Sequence, residues 1–150
     1  MTSEDKKKGL ALYRLQQAEE ALDEAEFLYR GKKSPRSVIN RAYYAMFYAI
    51  LALLIFEPYA SSKHSGVLAY FNRRFIKEGL FPHDLGEAAN IAFELRQRGD
   101  YKEHVTLTYE QVHISLTSFG SKKWPSGIYS LSWWSCLGCF MNNSPQVGLL

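Results

Sequence analysis

The sequence predicts an all-α fold, an up-and-down bundle of four to five helices followed by an irregular C-terminal tail. Two observations support this prediction. Apolar residues recur at alternating spacings of three and four along most of the first 118 positions, which is the period of an α-helix. Strand signals are poor in this region, because it contains no alternating runs and no Asn-Gly or Asp-Gly turns. Short connections between the helices favour antiparallel neighbours.

The first helix is predicted over 4–30 and the second over 35–57. Ser34 is the candidate N-cap of the second helix, and Pro35 suits its first helical position because a missing N–H costs nothing there. Pro58 ends it. The apolar seam predicted for the first helix consists of Leu15, Ala18, Leu22, Ala25 and Tyr29.

The third helix is predicted over 63–79. Ser61 and Ser62 are candidate caps, and Gly79 closes the helix. Its apolar face consists of Leu68, Phe71 and Phe75.

The fourth helix is predicted over 83–98, with Leu85, Ala89 and Ala92 as its inward row. A turn is predicted at 99–101, and a fifth helix begins within 109–119. The helical domain therefore spans 1–118.

Residues 119–150 form an atypical tail in sequence terms. They hold all three tryptophans, both cysteines, four of the ten glycines and no acidic residue. Aromatic residues are scarce in typical disordered segments, so the composition does not match a normal flexible tail. The alternatives are a frameshifted end that replaced part of the fifth helix and a poorly ordered extension, and no functional residue is predicted there.

Composition and charge favour an ordinary globular domain over a membrane protein, a secreted protein or a strongly basic nucleic-acid-binding protein. The uncharged run 42–56 is shorter than the roughly 20 residues that span a bilayer, so no membrane association is expected. The N-terminal segment MTSEDKKKG has no apolar region behind it, which predicts no secretory signal and a cytoplasmic location. Residues 1–118 carry 16 basic and 15 acidic side chains, which is no electrostatic footprint for nucleic acid.

No metal site or cofactor is predicted. Cys136 and Cys139 form a single CxxC with no second pair and no following histidine. A structural zinc site normally needs four ligands, and a redox CxxC needs a strand–turn–helix setting.

Polar side chains interrupt the apolar pattern on three neighbouring helices. In the second helix, a stripe about 100° wide lies opposite an apolar side made of Ala42, Ala45, Met46, Ala49, Leu53 and Phe56. His64 joins the apolar row of the third helix, and Arg96 joins that of the fourth, with Asp100 as its local carboxylate. The alternatives are a tyrosine-rich core and a polar pocket between helices. The stripe consists of Ser37, Asn40, Arg41, Tyr44 and Tyr48.

Three segments, SVINRAYYAMFYAILALL, SSKHSGVLAYFNRRFIKEGL and ELRQRGDY, resemble the HEPN family, the higher-eukaryote and prokaryote nucleotide-binding domain. The resemblance covers about 8–118 and is nearest to a small prokaryotic branch with an N-R-A-Y-Y-A-M-F core helix. It implies a helical bundle, a homodimer, and a minimal nucleotidyltransferase partner in toxin–antitoxin pairs. The predicted ligand is a nucleotide or RNA, and the residues predicted to line its cleft are Asn40, Arg41, Tyr44, His64, Arg96, Asp100 and Tyr101.

The resemblance also implies an enzymatic alternative. Many HEPN proteins are metal-independent ribonucleases with an R-x4-6-H motif, in which histidine moves protons and arginine stabilises the developing phosphorane charge. Arg98 and His104 are the formal match to this spacing here. Arg96 competes with Arg98 for the arginine role, because Arg96 has the inward spacing. A third alternative is a non-catalytic bundle whose second helix serves only dimerisation.

Overall fold

The computed structural model describes residues 1–101 and 106–112, with only the backbone of Tyr101. Within that part the chain is a bundle of helices without strands, and helical turns begin again at 109–112. The all-α prediction is confirmed, whereas Cys136, Cys139 and the whole of 119–150 lie outside the described residues. The elements are α1 (Ser3–Arg30), α2 (Pro35–Leu54), α3 (His64–Phe71), a π-helical segment (Asn72–Lys77) that continues α3, and α4 (His83–Tyr101).

Helix α2 is the central helix of the bundle, in contact with α1, α3 and α4. Twelve of its twenty residues are buried, including every residue of the predicted apolar side that lies within it. By length and composition α2 could also cross a membrane, since an 18-residue window has a mean hydropathy of 1.3. This is weak evidence for a span, because core helices pass the same test and 67% of that window is buried.

Helix α1 packs on α2 through alanines. The predicted seam is correct for Ala18 and Ala25, which are buried, whereas Leu15, Leu22 and Tyr29 lie half-buried at its margins. Small side chains let two helix backbones approach closely, so α1 covers one side of α2 at short range. The buried residues of α1 are Ala11, Ala18, Ala21 and Ala25.

The loop between α2 and α3 is fixed by a polar network. The Glu57 carboxylate accepts hydrogen bonds from Tyr70 Oη at 2.8 Å and from Arg74 Nε at 3.1 Å. Gly66 lets the loop lie directly on α3, because a Cβ added there would come within 2.7 Å of Ser61 Oγ. These contacts anchor the loop against α3 and its continuation, and they thereby fix the position of His64, the first residue of α3.

Two helix ends differ from the sequence-based expectation. Helix α2 ends at Leu54, and a turn at 55–58 takes the place of its predicted last residues. The turn predicted at 99–101 is wrong, because α4 continues to Tyr101. Gly99 is buried there, and a Cβ on it would lie 2.9 Å from Leu107 Cδ1, so this glycine permits close packing and does not end the helix.

The caps also differ in detail. Ser34 is at the N-cap of α2, but its side chain makes no capping hydrogen bond. Lys63 occupies the N-cap of α3, and the nearby Ser61 Oγ accepts a hydrogen bond from the Lys63 N–H at 3.1 Å. The predicted stop at Gly79 agrees with its φ of 78°, which glycine adopts without steric cost.

Candidate functional site

Three helices bring a group of polar side chains together where α2, α3 and α4 meet. Helix α4 places Arg96 on the same row as Leu85, Ala89 and Ala92, all three of which are buried. The two alanines leave room beside α2 for larger side chains. The group, called the Arg96 cluster below, consists of Asn40, Arg41, Tyr43 and Tyr44 of α2, His64 of α3, and Arg96 and Asp100 of α4.

His64 lies among aromatic rings and hydrogen-bonding groups. Its Nδ1 is 2.8 Å from the Tyr43 hydroxyl and 3.4 Å from Arg96 Nη1. Its ring stacks on Phe47, with the centroids 4.2 Å apart, and meets the Tyr44 ring edge-on at 6.2 Å. Because the first helical residue of α3 is held by the anchored loop, this ring has a defined position against α2.

The Arg96 guanidinium is largely buried, with only 14% of the side chain exposed. Its Cζ lies 5.0 Å from the Tyr43 ring centroid and 5.3 Å from that of Tyr44, within cation–π range. Nη2 donates to the Tyr44 hydroxyl at 3.4 Å. Asp100 Oδ2 is 3.2 Å from Arg96 Nε, an ion-pair distance, yet the buried Nε makes no hydrogen bond within the described residues. The carboxylate is therefore near the charge but not aligned with the N–H.

Arg41 extends the cluster towards solvent. Its Cζ lies 5.2 Å from the Tyr44 ring centroid, so Tyr44 has a guanidinium from α2 as well as one from α4. Arg41 Nη2 donates to Asn40 Oδ1 at 3.0 Å, and Nη1 pairs with the exposed Glu24 of α1 at 3.3 Å. The cluster thus carries two positive charges around one tyrosine.

Burial favours the neutral form of both the Tyr43 hydroxyl and the His64 imidazole, and it therefore shifts their pKa values in opposite directions. It raises the pKa of Tyr43 far above its usual value, although nearby Arg96 acts to lower it. Burial, assisted by the positive charge of Arg96, lowers the pKa of His64. Near neutral pH the Tyr43 hydroxyl is protonated and the His64 imidazole is neutral.

A possible set of metal ligands lies elsewhere, at the start of α4. Ligand atoms of His83, Asp84 and Glu87 lie within 4.8 Å of one another, and all three side chains are exposed. The helix dipole favours an acidic residue in the first turn, which accounts for Asp84 without an ion, and exposed acidic side chains such as Glu87 are common on helix surfaces.

A family model for the HEPN domain matches residues 11–119 of this chain. The chain belongs to the HEPN domain family. The resemblance drawn from the three sequence segments is therefore confirmed.

Relatives of this HEPN chain carry two kinds of name. A "UPF0332 protein" of Thermotoga maritima is 43% identical over 108 residues, which cover 72% of this chain and 81% of that protein. A "Putative toxin" of Methanocaldococcus jannaschii is 35% identical over 102 residues, or 68% of this chain and 69% of that one. A second protein of that name and organism is 36% identical over 84 residues, or 56% and 62% of the two chains. No solved structure matches this chain.

The structure brings six of the seven predicted ligand-binding residues of this HEPN chain into one cluster. The seventh, Tyr101, ends α4, and its side chain lies outside the described residues. Arg98 is not part of the cluster, because it lies two positions after Arg96 on another side of α4, is 44% exposed and pairs with Glu94. His104 lies outside the described residues, so the Arg98–His104 ribonuclease pair remains a prediction.

Sequence reasoning missed Tyr43, the residue in closest contact with His64. Tyr43 belongs to neither the predicted polar stripe nor the predicted apolar side of α2. It lies on a third row with Phe47, Ile50 and Leu54, all buried, at spacings of four, three and four. This spacing could have placed Tyr43 in the interior, where a hydroxyl needs a partner.

The low pKa of His64 predicts a loss of stability in acid. The unfolded chain binds a proton at His64 at higher pH than the folded chain does, so the folded state becomes less favoured as pH falls below about 6.5. Urea unfolding of the wild type and His64→Gln at about pH 7.5 and about pH 5.5 measures this. We expect the wild type to lose more free energy of unfolding than the variant over this interval. An equal loss in both proteins would contradict a depressed pKa.

Proposed function

We propose that this chain binds the phosphate of a nucleotide or of RNA at the Arg96 cluster. The observation that carries the proposal is the state of the Arg96 guanidinium, which is largely buried but poorly paired. Nε makes no hydrogen bond within the described residues, and the bonds from Nη1 and Nη2 are both 3.4 Å long. Protein N–H donors normally bond at about 2.7–3.2 Å, so the donors of Arg96 are under-used.

A buried charge with unfilled donors is unfavourable unless an acceptor completes it. Guanidinium has five N–H donors and no acceptor, which matches the several oxygens of a phosphate. Asp100 lies at Nε, which leaves Nη1 and Nη2 for an incoming anion. Each Nη nitrogen carries two N–H groups, so an anionic oxygen can accept charge-assisted hydrogen bonds from those that do not face His64 or Tyr44.

Arg41 and Tyr44 favour a nucleotide over a simple anion. Arg41 is the more exposed of the two arginines, and it lies against the Tyr44 ring. Aromatic rings and guanidinium planes are the surfaces on which proteins stack unpaired bases. A ligand with both a phosphate and a base can therefore use Arg96 and the Tyr44–Arg41 pair together.

The names of the relatives support a role in a toxin–antitoxin pair. Two relatives from Methanocaldococcus jannaschii are each named "Putative toxin", and they align with 68% and 56% of this chain. On this basis, and on the family resemblance, the chain acts as a homodimer together with a minimal nucleotidyltransferase-type partner. Sedimentation equilibrium should give twice the mass of one chain, and the product of an adjacent nucleotidyltransferase gene should co-purify with it. A monomer that retains no such product would contradict this part of the proposal.

The binding proposal is tested by titrating the full chain with 5′-AMP and with a short single-stranded RNA, without added metal. Arg96→Ala should weaken binding about tenfold or more, because a hydrogen bond to a charged group contributes about 1.5–3 kcal/mol. Arg96→Lys should recover part of the affinity through its charge. Arg30→Ala is the matched control, since Arg30 also pairs with a carboxylate four residues away but is 64% exposed.

Equal affinity in the wild type and Arg96→Ala would overturn the proposed site. The same RNA, incubated with the wild type, Arg98→Ala and His104→Ala, tests the enzymatic alternative. Metal-independent cleavage of the RNA that disappears in both Arg98→Ala and His104→Ala would favour the ribonuclease over the binding module.

A further inference from the structure

We infer that His64 acts as a neutral hydrogen-bond donor through Nε2–H, and that Tyr43 is the positioning residue that fixes this tautomer. The inference rests on the proposed phosphate binding and adds to it the protonation state of one group in the site. It also assigns a role to Tyr43, whose hydroxyl is buried within the bundle.

The position of the proton on His64 follows from its neighbours. Arg96 can only donate hydrogen bonds, so its Nη1, 3.4 Å from Nδ1, favours a lone pair there, because an N–H on Nδ1 would place two donors face to face. The Tyr43 hydroxyl can donate or accept, and at 2.8 Å from an unprotonated Nδ1 it donates. Neutral imidazole carries one ring proton, and with Nδ1 unprotonated that proton is on Nε2.

The charged groups around the ring disfavour the imidazolium. Arg96 of α4 is the cation next to Nδ1, and the rings of Tyr43 and Tyr44 of α2 are its other titratable neighbours. Asp100 lies beyond Arg96, at its Nε. A proton added at Nδ1 would face the guanidinium and would remove the acceptor for both hydrogen bonds.

The two ring nitrogens of His64 therefore have different hydrogen-bonding roles. Nδ1 is occupied inside the protein, whereas Nε2–H has no hydrogen-bond partner among the described residues. His64 therefore offers a hydrogen-bond donor in the same cluster as the donors of Arg96, and donors of both kinds suit an anionic oxygen. In this tautomer Nε2 already carries the ring proton, and the one basic lone pair, on Nδ1, faces Tyr43 and Arg96, so at this site His64 donates a hydrogen bond and does not act as a base.

The tautomer is measured directly by nitrogen-15 NMR of the histidine rings in the full chain, with the His64 signals assigned by His64→Gln. The wild type should show the Nε2–H tautomer at neutral pH. In Tyr43→Phe, which keeps the ring, both tautomers should appear and the ring should titrate at higher pH. Tyr48→Phe is the matched control, one turn further along α2, and should resemble the wild type.

Added 5′-AMP should shift the Nε2 signal of the wild type more than the Nδ1 signal, and Tyr43→Phe should weaken its binding about 3- to 10-fold. An Nδ1–H tautomer or an imidazolium in the wild type at neutral pH would overturn the inference, whether or not 5′-AMP binds. The predicted tautomer without any binding of 5′-AMP would instead overturn the proposed function, and with it the use of Nε2–H as a phosphate donor. The two failures are therefore distinguishable.

Discussion

The rest of the site depends on one constraint, the placement of the positively charged Arg96 side chain between three helices. The guanidinium is held by two tyrosine rings of α2, by the imidazole that begins α3, and by a carboxylate one turn further along α4. None of these contacts is a short, well-aligned hydrogen bond to the guanidinium. The cluster therefore holds the charge in place without fully compensating its burial, which is the condition on which the proposed anion binding rests.

Arg96 can lie between three helices because different sides of α2 pack against different neighbours. One side packs on the alanine row of α1 at short range, as Ala18 and Ala25 illustrate. This leaves the tyrosine-bearing side of α2 for α3 and α4. The network of Glu57, Tyr70 and Arg74 fixes the intervening loop, so that His64 enters the cluster at the start of a helix.

The helical periodicity of the sequence predicted the fold and most residues of the Arg96 cluster, but it did not predict the contact between Tyr43 and His64. His64 and Arg96 could be placed inward because each continues an apolar row at helical spacing. Tyr43 could not be singled out in the same way, because a tyrosine on the row of Phe47 and Ile50 is equally typical of a plain core. Gly99 was wrongly interpreted as a turn residue. Glycine also occurs where two segments pack closely, and here it lies against Leu107, a tertiary contact that the local sequence does not reveal.

The central claim is that Arg96 is present for binding and adds little to the stability of the fold. Urea unfolding of Arg96→Met tests this most directly, because methionine is an unbranched apolar side chain that removes the guanidinium, and with it the charge and the N–H donors, while still filling space beside Tyr43 and Tyr44. Asp100 is partly exposed and can be solvated once its partner is gone. We expect the free energy of unfolding to stay within about 1 kcal/mol of the wild type, or to rise. A loss of about 3–5 kcal/mol, as for a broken structural ion pair, would contradict the claim.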